Sequence, residues 1–401
     1  MSNGLSALVT GAAAKRLTAV EARPDRSNQH ELNGVQALKA LFGDVRATRQ
    51  ARFMYLSESE TDVVAAEGFV TWYDAREDHP TRSEFRLYFP STDASEKVQE
   101  GDVAFVLRRP DDSVLIVFAA QGTTAERQLL WLFDLQPPVQ RVEVRDIRRD
   151  DAEVGFAARE VLRLLGIERA ASAPFEESYL EVLLDRFGEA FPPTAEFSAF
   201  ARAVTPEVEP VEDPDGALIA WLEREEALFR ILERHLVLKR LREGFGDDVD
   251  AFVDFSLSVQ NRRKSRVGYA LEHHVQAVLD AHGIQYAKAA VTERTSRPDF
   301  LFPSLAAYRD TSVSADRIAM LGVKSTCKDR WRQILAEADR VPVKHLLTLE
   351  PGISVTQTDE MIARSVVLVV PREIQHTFTD TQQRHILTVQ AFLTRVKRVS
   401  G

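Results

Sequence analysis

A single cysteine, Cys327, stands in a chain of 401 residues, so neither an internal disulfide nor a cysteine-rich zinc module can form. Nine histidines are scattered without CxxC partners or HExxH spacing, which argues against the usual zinc signatures. No run of about 18 uninterrupted apolar residues occurs, and the first thirty positions lack the basic start and apolar core of an export signal. The protein is therefore expected to be cytoplasmic, without a membrane partner. No internal repeat of about 20 to 50 residues is present. What remains is 44% hydrophobic, 8% aromatic and 28% charged, a soluble globular composition. At about 150 residues per domain, two or three domains are expected.

The formal charge of −10 is unevenly distributed. Residues 1–260 carry 30 Lys and Arg against 47 Asp and Glu, a balance of −17, whereas residues 261–401 carry 21 against 14, a balance of +7. A basic surplus confined to the last third is a moderate phosphate-binding footprint.

From Ala51 to about Leu135 the runs ARFMYL, EGFVTWYD, EFRLYF, DVAFVLRR, SVLIVFAA and LLWLFDL read as short strands, the series expected of a barrel or sandwich. Among them Arg76, Arg82 and Arg86 are interleaved with Trp72, Tyr73 and Phe85, a mixture able to grip a nucleic-acid backbone beside its bases, or simply a half-buried strand surface. Residues 151–203 change to a helical period. An acidic, proline-rich stretch from Thr205 to Gly216 reads as a linker. Beyond it are a long helix over Ala217 to Gly244, a short one over Val249 to Ser258, a basic run at Asn261 to Arg266 and a helix from about Val267 to His282. Helix and strand then alternate: KAAVTE, RPDFLFPS, IAMLGVKST, a helix from about Lys328 to Asp339, HLLTL, SVVLVV and a closing helix around Gln382 to Val396. That order predicts an α/β domain with a central mixed sheet.

Three residues of this back domain form the sharpest constellation. Asp299 opens one strand, Lys324 ends the next, and Glu337 lies on the helix after it, at separations of 25 and 13 positions. Phosphodiester hydrolysis needs a divalent cation to screen the phosphate and activate water, and Mg²⁺ prefers a few carboxylates completed by water and substrate oxygens. Asp299 and Glu337 can supply the carboxylates, and a lysine beside them can stabilise charge on the scissile phosphate.

RPDFLFPS, AAYRDT and MLGVKSTCKDRWRQILAEADR resemble the catalytic domain of the EcoRII restriction endonucleases, a branch of the PD-(D/E)xK nuclease superfamily. SVQNRRKSRVGYALEHH upstream, and HLLTLEPGIS and VVLVVP downstream, extend the resemblance over roughly residues 216–390. It implies that Asp299 and Glu337 bind the metal together with the Val323 carbonyl, that Lys324 is the catalytic lysine and that Glu272 is an accessory acid. The position two before Lys324, where the superfamily places its second acid, is Gly322 here, and the resemblance implies that Glu337 supplies that acid instead.

The resemblance further implies that Lys328, Asp329 and Arg330 read outer C·G pairs of a CC(N)GG-like site in the major groove, with Arg330, Gln333 or Ile334, and Glu337 on one helical face. Arg262, Arg263, Lys264 and Arg266 would contact the DNA backbone. The implied architecture is multidomain α+β. An N-terminal β-pseudobarrel-like DNA-binding regulatory domain (1–150) would bind effector DNA through Arg76, Arg82 and Arg86. A connector (151–215) would lead to a C-terminal α/β restriction-endonuclease-like domain (216–401).

The implied protein is a Mg²⁺-dependent, homodimeric type II restriction endonuclease acting on double-stranded DNA, accompanied genetically by a methyltransferase and serving phage defence. The alternatives are a DNA-binding protein on a nuclease scaffold, a nuclease specific for modified DNA, or an acidic protein-interaction module without salt-dependent DNA binding.

Overall fold

Strand formation in the front half follows from period-two burial. In Val114–Ala119 every residue is buried: Val114, Ile116 and Phe118 join one core, and Leu115, Val117 and Ala119 the other. A strand covered on both faces reads as an uninterrupted apolar run. The structure is a computed structural model describing residues 5–22, 31–33, 35–58, 64–137, 142–147, 156–164 and 176–400. It divides into two compact units, residues 1–169 with 351–358, and residues 170–350 with 359–401.

The first unit is built on a mixed eight-stranded sheet: β1 (Gly11–Arg16), β2 (Glu31–Leu32), β3 (Ala47–Leu56), β4 (Val64–Asp74), β5 (Phe85–Tyr88), β6 (Val103–Arg108), β7 (Val114–Ala119) and β8 (Glu143–Asp146). Their order is β2-β5-β4-β3-β7-β6-β1-β8, with only β3 and β7 parallel. One expected strand is corrected. LLWLFDL belongs largely to a helix, Thr124–Leu132, because the Thr123 hydroxyl accepts the Glu126 N–H at the N-cap and Leu129 and Leu132 bury one helical stripe.

In the second unit the helices Glu176–Phe187, Thr194–Ala203, Pro214–Glu243 and Val249–Ala281 precede a five-stranded sheet. Leu183, Phe197, Phe200, Leu228, Phe229 and Leu232 form the core of the helical part. The sheet comprises β9 (Ala287–Lys288), β10 (Phe300–Phe302), β11 (Ala319–Lys324), β12 (Lys344–Thr348) and β13 (Val366–Val369), in the order β13-β12-β11-β10-β9. β9, β10 and β11 run antiparallel, while β11, β12 and β13 run parallel, so the sheet is mixed.

Two expectations change here. The short helix, the basic run and the helix after it are one continuous helix, Val249–Ala281, since no proline interrupts them and the Asp248 carboxylate caps the start by accepting the Ala251 N–H. The acidic stretch is not a loose linker at its end. Asp213 caps the helix Pro214–Glu243, and Asp215, 2% exposed, accepts backbone N–H groups of Arg372, Val389 and Gln390, the last two opening the closing helix Val389–Ser400. Carboxylates at helix N-termini answer both the unpaired N–H groups and the helix dipole. Among the described residues no helix is long and apolar enough to cross a membrane.

Candidate active site

The site begins where β10 meets β11. Phe300 pairs with Leu321, and continuing that register puts Asp299 opposite Gly322 and the buried Pro298 opposite Val323. Proline constrains the ladder at this point. The Asp299 carboxylate takes over: Oδ2 accepts the Val323 N–H at 2.6 Å and the Lys324 ammonium at 3.0 Å. One oxygen thus ties the strands together while the other, Oδ1, has no hydrogen-bond partner among the described residues.

The second carboxylate arrives by a different route from the one expected. Lys328–Ala336 is a 3-10 stretch, not an α-helix, and Glu337 sits at its C-cap with extended backbone (φ −96°, ψ 140°). At three residues per turn, side chains i and i+3 eclipse. Arg330, Gln333 and Ala336 form an exposed column, whereas Trp331 and Ile334 are fully buried. Glu337 continues the inward column by spacing, so it does not share a face with Arg330. Inward packing also accounts for Gly322: a Cβ there would lie 2.8 Å from Ile334 Cγ2 and 3.5 Å from Leu346 Cδ1. The space a side chain would need at that strand position is filled by an isoleucine methyl group.

Burial, and then the negative charge of Asp299, push the Glu337 carboxyl up to about 7, with Lys324 and Lys344 opposing. Its Oε2 is buried without a hydrogen-bond partner. Glu272, on the helix Val249–Ala281, is raised for the same two reasons, burial and Asp299, with Lys324 and Lys288 opposing. Among the described residues no three His, Cys, Asp or Glu side chains are arranged to hold a metal ion among themselves. Two carboxylates with an unoccupied oxygen each nevertheless fit a hard cation that draws its other ligands from backbone, water and substrate.

The turn after Glu337 is held by Lys344, Thr292 and Glu293, which sequence reading missed. Ala338 has a left-handed backbone (φ 49°). The buried Lys344, first residue of β12, donates to the Glu337 and Ala338 carbonyl oxygens, the latter at 2.6 Å. Thr292 Oγ1 accepts the Ala338 N–H at 3.4 Å and Glu293 the Asp339 N–H at 3.3 Å. Tyr308 is buried and donates to both Glu293 oxygens at 2.6 Å, and burial followed by that carboxylate raises its hydroxyl to about 12. It anchors a loop that Arg340 also grips, through the carbonyls of Tyr308, Asp310 and Val313. Cys327 is fully buried with its thiol pushed up by burial, the state of a packing residue.

The other expected contacts divide. Arg330 is exposed at the start of the 3-10 stretch, whereas the side chains of Lys328, Asp329 and Lys264 lie outside the described residues. Arg262 stacks over Phe191 at 4.0 Å, Arg263 forms a bidentate pair with the buried Glu233, and the buried Arg266 pairs with Glu225 and Glu226. These arginines serve the packing of Val249–Ala281 against its neighbours. In the first unit Arg76 and Arg86 both pair with Glu84, Arg86 also with Glu31, and Arg82 is exposed. Trp72 and Phe85 are stacked in the core and not presented outward.

Residues 229–393 match the family model described as the EcoRII C-terminal domain. The type II restriction enzyme EcoRII of Escherichia coli is 39% identical over 232 residues, which are 58% of this chain and 56% of that protein. The chain thus spans little more than half the length of this curated relative. Among solved structures, a complex of Ecl18kI with uncleaved DNA aligns at a TM-score of 0.45 and 17% identity, covering 56% of this chain and 84% of that one. A PspGI complex with substrate DNA aligns at 0.43 and 16%, covering 52% and 93%. The resemblance read from the sequence is borne out by the family match, within which Asp299, Lys324 and Glu337 all fall.

Proposed function

We propose that this chain is a Mg²⁺-dependent, site-specific type II restriction endonuclease that makes double-strand breaks at a CC(N)GG-like site. The observation that carries the reading is the convergence of Asp299, Lys324 and Glu337, supported by the likeness to EcoRII. Asp299, Glu337 and the Val323 carbonyl would hold the cation, which would supply charge screening and an activated water. The Lys324 ammonium, kept in place by Asp299, stabilises the charge that builds on the scissile phosphate as the attacking oxygen bonds to phosphorus and the P–O ester bond breaks. Glu272 adds negative potential from the neighbouring helix.

Arg330, with Lys328 and Asp329, would read the outer base pairs through the guanine and cytosine edges of the major groove. Cutting both strands of a symmetric site calls for two copies of the chain, hence a homodimer. The sheet of the first unit is assigned a DNA-sensing role, with Arg76 and Arg82 the exposed cations of its arginine cluster. A cognate methyltransferase would protect host DNA, and the setting is cytoplasmic.

The test is incubation with Mg²⁺ and plasmids carrying zero, one or two CCNGG sites, beside Lys324→Ala and Glu337→Ala proteins. Cleavage confined to such sites and lost in both variants is expected, and preference for the two-site plasmid would support the sensing role. Intact DNA binding without any cleavage would overturn the reading in favour of a binding protein or an enzyme requiring modified DNA.

A further inference from the structure

A carboxylate on a strand is fixed by the hydrogen-bond ladder of that strand. Glu337 has no ladder. It sits at the end of a nine-residue 3-10 stretch, followed at once by Ala338 in the left-handed region, a conformation unfavourable for a residue with a Cβ. Some compensating interaction has to hold that turn. The one that reaches both peptide groups of the turn is the ammonium of Lys344, buried at the start of β12 and donating to the carbonyl oxygens of Glu337 and Ala338.

The two carbonyls converge on one cation, so the peptide between Glu337 and Ala338 is fixed in orientation from its acceptor side. A charge-assisted bond to a backbone carbonyl is stronger and more directional than a neutral one. β12 pairs in parallel with β11, which carries Val323 and Lys324, so Lys344 refers the position of Glu337 to the strand bearing the rest of the site.

We propose that Lys344 is a positioning residue for the active site: its ammonium holds the Glu337–Ala338 turn so that the Glu337 carboxylate is kept beside Asp299. The inference rests on the endonuclease reading for its consequence, but its geometry concerns metal binding and is tested separately from cleavage. Lys344 acts through backbone atoms only, so an apolar side chain of similar length removes the positioning while still filling the space. Arginine restores donors at slightly altered reach.

The experiment uses the full chain with Lys344→Met, Lys344→Arg, Glu337→Gln and Ala338→Gly substitutions. Mn²⁺ binding is read by electron paramagnetic resonance without DNA, cleavage is followed against Mg²⁺ concentration, DNA affinity is measured in Ca²⁺, and thermal unfolding reports on folding. For Lys344→Met, Mn²⁺ affinity is expected to fall about tenfold or more, the scale seen when residues supporting metal ligands are removed. The half-saturating Mg²⁺ concentration should rise correspondingly, with DNA affinity unchanged and Lys344→Arg recovering part of the loss. Ala338→Gly removes the backbone penalty of the turn and should keep wild-type metal affinity while Lys344 is present.

A folded Lys344→Met protein with wild-type Mn²⁺ affinity and Mg²⁺ dependence would overturn the proposal. If Lys344→Met fails to fold, Lys344→Gln, which keeps a polar side chain but removes the ammonium, decides: wild-type metal affinity in the folded protein would equally overturn it. Should the wild-type chain cut no DNA at all, the endonuclease reading fails, while the Mn²⁺ comparison between Lys344→Met and Glu337→Gln still settles the role of Lys344.

Discussion

Ile334 occupies the space that a side chain at position 322 would need: a Cβ on Gly322 would lie 2.8 Å from Ile334 Cγ2. Real Cβ contacts are not that short, and Ile334 is a fully buried β-branched side chain with little room to retreat. Gly322→Ala should therefore destabilise the fold by about 1–3 kcal/mol, the usual cost of overpacking. Ile334→Ala removes the obstructing methyl, so the double variant should be less destabilised than the two single costs combined. Urea unfolding of the four proteins measures the coupling, and strict additivity would contradict the packing account.

Lys324→Ala and Glu337→Gln should each lower the cleavage rate by at least about a hundredfold, the scale of losing one preorganised electrostatic partner. Affinity for site-bearing DNA in Ca²⁺ should change little, because neither side chain is assigned to base reading. Plasmid nicking and filter binding, run in parallel, separate the two quantities. Equal losses in binding and cleavage would move these residues out of the chemistry.

The basic segment on the helix Val249–Ala281 and the exposed Arg330 should behave in opposite ways. Arg263 is held bidentately by Glu233, which is buried, so Arg263→Ala strands a carboxylate and should lower stability. The slope of DNA affinity against salt should stay the same. Arg330→Ala should leave stability within about 0.5 kcal/mol, as for surface substitutions generally, but weaken binding to site-bearing DNA. Melting curves and a salt titration of binding check both halves.

His345 gives a stability term with a defined sign. Burial, with the positive charge of Arg395 adding to it, pushes its imidazole down to about 4. An unfolded imidazole titrates near 6.5, so between those limits the unfolded chain binds more protons than the folded one. The contribution is fully present above pH 6.5 and is lost as pH falls towards 4, amounting to about 3 kcal/mol across the window. His345→Leu should flatten that part of the stability profile relative to wild type. Chemical unfolding at pH 4.5, 5.5 and 7 provides the comparison.

Tyr308→Phe should lower stability by about 1–2 kcal/mol through the hydroxyl shared by Glu293 and the Arg340 N–H. DNA affinity should be unaffected, since the hydroxyl is engaged inside the fold. A clear loss of affinity at unchanged stability would instead assign the hydroxyl a phosphate contact.

What the sequence made legible was whatever depends on chain-local chemistry. The apolar runs around Met320, Leu346 and Leu368 announce β11, β12 and β13, and Asp299 and Lys324 are marked by their places at strand ends. The 3-10 stretch was not legible, because Trp331 and Ile334 three apart satisfy a 3.0 and a 3.6 period equally well over nine residues. The arginines of the basic run looked available because Glu225, Glu226 and Glu233, their partners, lie on another helix some thirty to forty positions earlier. Lys344 gave no signal at all, since its partners are backbone carbonyls, which every residue possesses.

The stretch from Thr205 to Gly216 has the composition of a seam, yet Asp215 fastens it to the backbone of Arg372, Val389 and Gln390. The end of this acidic, proline-rich segment is thus held by a side chain bonded to backbone groups at the back of the same chain. Anyone trimming the protein to its back half should begin upstream of Asp213; a start at Gly216 would leave two helices with their amides bare and turn a tidy truncation into a frayed one.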